Sequence, residues 1–404
     1  MKINLIRFAN SLDPSNSYLK DSEMFIEDLN NELFEDDIEL VTNDESAAFS
    51  MCFIETGGSE QSFIKVYKDL KEPIFLLSNS KNNSLAACFE IRTFLEKEKK
   101  EHLILLGEDN LIAAAIRRIA AQYEKEEKIR NARLGVIGRP SDWLIASTVD
   151  YNEVKSTFGV TLIDITSEEL KEEINKGILP NIPRKEELYL KDFDKKEIDK
   201  ALEIYSGLKR IIKKYELNGF TLRCFDLISE YKSTACLAFG LLNEEGILAA
   251  CEGDVPSLLS MLIIKEATGE SSFQANPSRA NLRNKEIVFA HCTLPLNMCN
   301  KYKLMTHFES GLGIGIRGDM DKGEITIFKL APSLDKFLLL SGELVENLTL
   351  SNYCRTQINV KLSEQEFLYD FLNIPFGNHV LICYGDKKEE IYTLLMRFIG
   401  KKVD

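Results

Sequence analysis

Residues 249–261 read AACEGDVPSLLSM and residues 288–299 read VFAHCTLPLNMC, so two apolar runs each end in a Pro-containing turn that carries ligand-type side chains. Glu252 and Asp254 stand in the first turn and His291 in the second. Carboxylate and imidazole donors suit a hard divalent ion such as Mn²⁺ or Mg²⁺, which keeps coordination positions open for substrate oxygens. That combination polarises a carbonyl beside a hydroxyl. His307, in LMTHFESG, and His379, in NIPFGNHV, lie in the same half of the chain, so three of its four histidines accompany Glu252. Each residue also has a plainer reading. Asp254 fits the N-cap of the helix that follows, and Glu252 fits a satisfied polar group in a turn.

The elements around these residues set the scene. GILAAC before Glu252 is apolar enough to be a buried strand, and Leu258, Leu259, Leu262 and Ile263 mark a helix after it. Ligands of open α/β sheets sit at the carboxyl ends of strands, next to helix starts. Strands are expected at Lys2–Phe8, Ala48–Ile54, Ile74–Leu77 and Leu103–Leu106, alternating with amphipathic helices such as Ser84–Lys99. A second α/β unit starts near Arg133, with strands Leu134–Ile137 and Val160–Ile165 and a capping box at Thr166 and Glu169. Its long helix buries Ile198, Leu202, Tyr205, Leu208, Ile212 and Tyr215 and stops at Asn218–Gly219. The last 130 or so residues change character. Ile287–Phe289, Ile325–Leu330, Phe337–Leu340, Ile358–Leu362 and Val380–Tyr384 read as strands with few helical patterns between them, which predicts an antiparallel, barrel-like domain. The fold class is thus α/β, two Rossmann-like α/β domains over 1–131 and 132–270 plus a β-rich domain over 271–404.

Two glycine-rich stretches have the composition of ligand loops. ETGGSEQSF (Glu55–Phe63) follows a strand and opens a helix, but it lacks the P-loop lysine and the G-x-G-x-x-G spacing, so a tight turn fits better. SGLGIGIRG (Ser310–Gly318) alternates glycine with leucine and isoleucine, as a strand does where another backbone comes close.

At 404 residues the chain needs more than one core, and 64 acidic against 50 basic residues leave a formal charge of −14 that repels a nucleic-acid backbone. No apolar run reaches the ~20 residues of a bilayer span, and Met1–Leu5 opens like a strand, so a cytoplasmic protein is expected. The nine cysteines are scattered without a C-x-x-C pair and read as reduced, small hydrophobes.

RLGVIGRPSDWLIAS, LRCFDLI, TACLAFGLLNEEGILAACEGDVPSLLSM, NPSR, FAHCTLP and THFESGLGIGIRG together resemble the L-fucose isomerase-related proteins, a branch of the fucose and arabinose isomerase superfamily. The resemblance runs from about Arg133 to the C-terminus. It implies a third, β-barrel-like domain and an active site between the second and third domains, shared across subunits of a homo-oligomer. It further implies a Mn²⁺-type ion and a carboxylate that moves a proton between C1 and C2 of a sugar through an enediol. Position by position, Glu252 matches the first acidic ligand and base, His291 the strand-end histidine, and His379 the C-terminal histidine ligand. Where the family has its second acidic ligand, this chain has Asn276, which supplies a carbonyl but no charge. Either Asp254 takes part of that catalytic role, or the ion is held more weakly, or the branch binds sugar without standard isomerisation. Substrate contacts are expected from Arg139, Trp143 and His307; Trp143, the one tryptophan, fits a sugar face or a packed domain joint equally well.

Overall fold

The computed structural model describes residues 1–10, 16–44 and 46–400. Its chain divides into two compact units, Met1–Glu124 and Lys125–Asp404.

The first unit is a five-stranded parallel sheet of β1 (Lys2–Phe8), β2 (Glu39–Thr42), β3 (Phe49–Ile54), β4 (Ile74–Ser78) and β5 (His102–Leu105), in the order β2-β1-β3-β4-β5. Alternate side chains of a strand point to opposite faces, so Met51 and Phe53 join one core while Cys52 and Ile54 join another. Helix Tyr18–Leu33 covers the first face and helix Ser84–Lys97 the second. The turn at Gly57–Gly58 is a tight one: Gly58 has φ +78°, and only a five-residue helix, Glu60–Ile64, follows.

The second unit contains a four-stranded parallel sheet of β6 (Arg133–Ile137), β7 (Thr161–Ile165), β8 (Gly219–Leu222) and β9 (Leu248–Cys251), in the order β7-β6-β8-β9. Strands β8 and β9 are buried along their length, which requires helices on both faces. Helix Lys195–Tyr215 lies against one face, capped by Asp194, whose side chain accepts from Lys196 N. It ends one turn earlier than Asn218–Gly219 suggests, with Glu216 in the left-handed region, because Asn218 Oδ1 is engaged by Arg133 N and Gly219 already begins β8. Thr166 caps its helix through Glu169 N, but Glu169 does not reach back; its carboxylate instead pairs with Lys214 and Tyr215.

The remaining strands are β10 (Phe273–Asn281), β11 (Glu286–His291), β12 (Lys301–Met305), β13 (Gly315–Asp319), β14 (Gly323–Leu330), β15 (Phe337–Asn347), β16 (Thr356–Lys361) and β17 (Val380–Tyr384). Six of them close an antiparallel barrel in the order β10-β11-β16-β15-β14-β17, and β12 with β13 forms a separate ribbon. The barrel lining (Ile287, Phe289, Ile325, Ile327, Ile358) belongs to the same apolar cluster as Phe220, Leu222 and Ala249 of the second sheet. The ribbon corrects one expectation. Only Gly315–Asp319 is strand, while Gly311 and Gly313 take positive φ in the turn before it, where a Cβ on Gly313 would come within 2.5 Å of Thr234 N.

Candidate active site

Strand register brings the histidines together. Asn276 of β10 pairs with Ala290 of β11, and Ala275 pairs with Val380 of β17, so His291 and His379, one residue beyond each partner, flank Asn276 at one end of the barrel. Gln274, fully buried on β10, ties the parallel sheet to this rim: its Oε1 accepts from Cys251 N at 2.7 Å and its Nε2 donates to Cys251 O at 3.4 Å. Glu252, the next residue, is thereby delivered to the two imidazoles.

The turn that presents Glu252 is strained. Glu252 has φ +65° and Gly253 φ +75°. A left-handed, non-glycine residue costs about 1–2 kcal/mol, so packing must hold it. Ser141 N donates to Glu252 O at 2.8 Å, and a Cβ on residue 253 would lie 2.6 Å from both Arg139 O and Pro140 Cα. Only glycine fits there.

Glu252 Oε1 lies 3.9 Å from His291 Nε2 and 3.7 Å from His379 Nε2, and ligand atoms of all three residues fall within 4.8 Å of one another. All three are buried. Glu252 Oε2 accepts from Trp143 Nε1 at 2.6 Å. Burial raises the Glu252 carboxyl, but His379, His291 and the indole N–H outweigh it and bring it down to about 2, so it is ionised at neutral pH. Burial and then His379 push His291 down to about 3 and leave it neutral.

Each histidine is oriented from behind. His291 Nδ1 meets Thr293 Oγ1 at 2.8 Å, and His379 Nδ1 meets Asp254 Oδ2 at 2.8 Å. With both Nδ1 atoms engaged, both Nε2 atoms face Glu252, the arrangement that outer carboxylates and hydroxyls impose on metal-binding imidazoles; burial opposes a charge on His379, but Asp254 and Glu252 raise it above the usual imidazole range. His379 Nε2 is buried without a hydrogen-bond partner. An orphaned buried nitrogen is costly unless something binds it, and a divalent ion between Glu252, His291 and His379 would satisfy it.

Asp254 stands behind this cluster, outside the cavity. Its Oδ1 accepts from Ser257 N at 2.8 Å, so it does cap the helix Val255–Thr268. Lys329 Nζ, buried in β14, donates to Oδ1 at 3.0 Å and Oδ2 at 2.9 Å and also to Ser257 Oγ. Burial opposes the charge on Asp254, yet Lys329 and His379 hold it well below the ordinary carboxylate range. With every acceptor position taken and no exposed surface, Asp254 is placed to steer His379 rather than to touch a substrate.

A cavity of about 510 Å³ opens over the cluster. Glu252, His291, Asn276, Trp143 and His307 all line it. Trp143 is half exposed and stands edge-on to Phe225 at 4.7 Å, so it forms a wall of the cavity and is not buried in a joint. His307 meets Ser310 Oγ at 3.1 Å through Nδ1, and burial followed by Arg355 keeps it below the usual imidazole range. Arg139 is not among the lining residues; its side chain is 76% exposed and reaches Asp142 at 3.6 Å.

Sequence reasoning missed Lys329, Gln274 and the thiols. A lysine inside the apolar run EITIFKLA signals a buried partner, and it was legible. The cysteines are more than scattered hydrophobes: Cys224, Cys236, Cys251, Cys292 and Cys354 line the cavity, and the Cys224 and Cys251 sulfurs meet at 3.1 Å. All nine are free.

No protein-family model matches the chain. The chain is 23% identical over 283 residues to the sulfoquinovose isomerases of Alkalicoccus urumqiensis and Priestia megaterium, a match covering 66% of this chain and 63% of theirs. It thus spans a little under two thirds of those relatives. With the sulfoquinovose isomerase of Clostridium sp. strain MSTE9 the identity is 21% over 352 residues, 80% of this chain and 77% of that one. No helix among the described residues is long and apolar enough to cross a membrane. The matched relatives are sugar isomerases by name.

Proposed function

We propose that the chain is a metal-dependent sugar isomerase that interconverts an aldose and a ketose by moving a proton between C1 and C2 through an enediol. The observation that carries this reading is the buried Glu252, His291 and His379 set with its unpartnered His379 Nε2, beside a cavity that Glu252 and His291 line. The names of the relatives support the same reaction type.

Glu252, His291 and His379 would hold the ion, with the Asn276 side-chain carbonyl oxygen as a fourth donor; Mn²⁺ or Mg²⁺ fits carboxylate, imidazole and amide oxygen together. When bound, such an ion polarises the sugar carbonyl and its neighbouring hydroxyl. The chain's own residues do the rest. Glu252, ionised and fixed at Oε2 by Trp143, accepts the sugar proton. Thr293 and Asp254 hold the imidazoles in place, and Trp143 and His307 supply wall contacts to the sugar. Asn276 favours a second reading, a sugar-binding or regulatory protein on this scaffold, because it leaves a single carboxylate in the cluster.

Metal-replete and chelated protein, incubated with a panel of aldoses and assayed for ketose, separates the two. Ketose formation that disappears with chelator and returns with Mn²⁺ supports the isomerase. Sugar binding with no turnover in either state rejects it.

A further inference from the structure

A second, larger cavity has the opposite electrostatic character. It measures about 1120 Å³ and is lined on one side by the β12–β13 ribbon and on another by residues 349–351 and 355. Lys191, Lys301, Lys303, Arg317 and Arg355 line it against two acids, Asp192 and Asp319, an excess of three positive charges from five minus two. On a chain whose formal charge is −14 this is a local reversal. In the first cavity, by contrast, the charged lining residues are Glu252 and Glu309, so an anion is drawn to the second.

Two of the cations are paired, Lys191 with Glu187 at 3.3 Å and Arg317 with Asp319 at 2.6 Å, which leaves Lys301, Lys303 and Arg355 to face the hollow. Lys301 and Lys303 alternate along β12 on its exposed face and have no ion-pair partner among the described residues. Arg317 donates from Nη1 to Gly318 O at 2.7 Å and Asp319 Oδ1 at 2.6 Å, while its Nε finds no acceptor among the described residues. Arg355 is aimed by Thr306, to whose carbonyl it donates from Nε at 2.7 Å. Planar guanidinium groups and flexible ammonium groups around one hollow are the recognition set for phosphate groups. Concave walls focus the field they create.

The two cavities also share chain. Asn352, Tyr353 and Cys354 line the first while Ser351 and Arg355 line the second, and Met305 of the second stands two positions before His307 of the first. We propose that the second cavity is an effector site for a small molecule bearing two or more phosphate groups, which acts on the catalytic cavity through the segments 305–307 and 351–355.

This proposal is independent of the isomerase reading and is tested by binding. Pyrophosphate is titrated calorimetrically into the intact protein and into the Lys301→Glu/Lys303→Glu variant, at constant ionic strength, while the emission of Trp143 is followed. Because this single tryptophan stands in the wall of the first cavity, it reports transmission between the two. The expected result is saturable binding that weakens by about tenfold or more in the variant, with a change of Trp143 emission in the native protein. Absence of saturation up to about 10 mM pyrophosphate, or equal affinity in the variant, overturns the site. Binding that leaves Trp143 emission unchanged overturns its effector role. A matching thermal midpoint of the two proteins without ligand shows that the variant is folded.

Discussion

Two strand ends in this molecule are built from nearly the same letters and do different work. In the first unit β3 runs out into Glu55-Thr56-Gly57-Gly58, and in the second β9 runs out into Glu252-Gly253-Asp254. Both glutamates are buried at the carboxyl end of a parallel strand. Glu55 is matched by a permanent cation: Arg7 donates to Oε1 at 3.0 Å and to Oε2 at 2.7 Å. Glu252 meets an indole N–H and two imidazoles, one of them neutral, and no lysine or arginine. A buried carboxylate already neutralised has no reason to bind an ion. One that faces only neutral or weakly basic donors attracts one. Burial at a strand end is therefore not the signature of a site; the partner is.

The largest test of this contrast is removal of each carboxylate. Glu252→Gln keeps the volume and the Trp143 contact but cannot accept a proton, so turnover of a responsive aldose is expected to fall by ~10²- to 10⁴-fold with the fold intact. Near-normal turnover would remove Glu252 from the chemistry. Lys329→Met tests the support behind the site. It leaves Asp254 buried without its ammonium partner, and breaking a buried pair in this way costs about 3–5 kcal/mol, visible in denaturant unfolding. A variant as stable as the native protein would show that His379 and Ser257 suffice to hold Asp254.

A smaller effect is expected from Glu55→Gln, the mirror of the first experiment. Arg7 keeps Glu23, at 2.6 Å, as a partner, so the loss should be about 1–3 kcal/mol of stability with metal binding untouched. If chelator-sensitive Mn²⁺ binding fell as well, the two strand ends would not differ as described. The finest adjustment is Asn276→Asp. It adds an anion beside Glu252 at nearly constant volume, so calorimetric Mn²⁺ affinity should rise, by about tenfold or less. Unchanged affinity would place Asn276 outside the ion's reach.

Much of this was legible before any coordinates. Lys2–Phe8 is a strand over the residues that the apolar run predicts, and Val380–Tyr384 likewise, because both read as short apolar runs bounded by turn residues. Glu252, His291 and His379 stood out as rare ligand types at strand ends. β10 was not legible, since FQANPSRAN carries a proline, two asparagines and a serine and is held as a strand only by its neighbours, with a bulge between Pro277 and Arg279. Arg139 was expected at the site because it lies four residues from Trp143, but the Gly138–Pro140 turn sends its side chain to solvent. Local pattern determines which residues become strand, helix and turn, because backbone sterics and amphipathic periodicity act over a few residues. Which carboxylate meets an arginine and which meets two histidines, and which lysine is buried against Asp254, depends on groups 39 to 127 positions apart in sequence, from Glu252 and His291 to Glu252 and His379. Only strand register and barrel closure bring such groups within 4 Å of one another, and that is where the charge environment of Glu252 was decided.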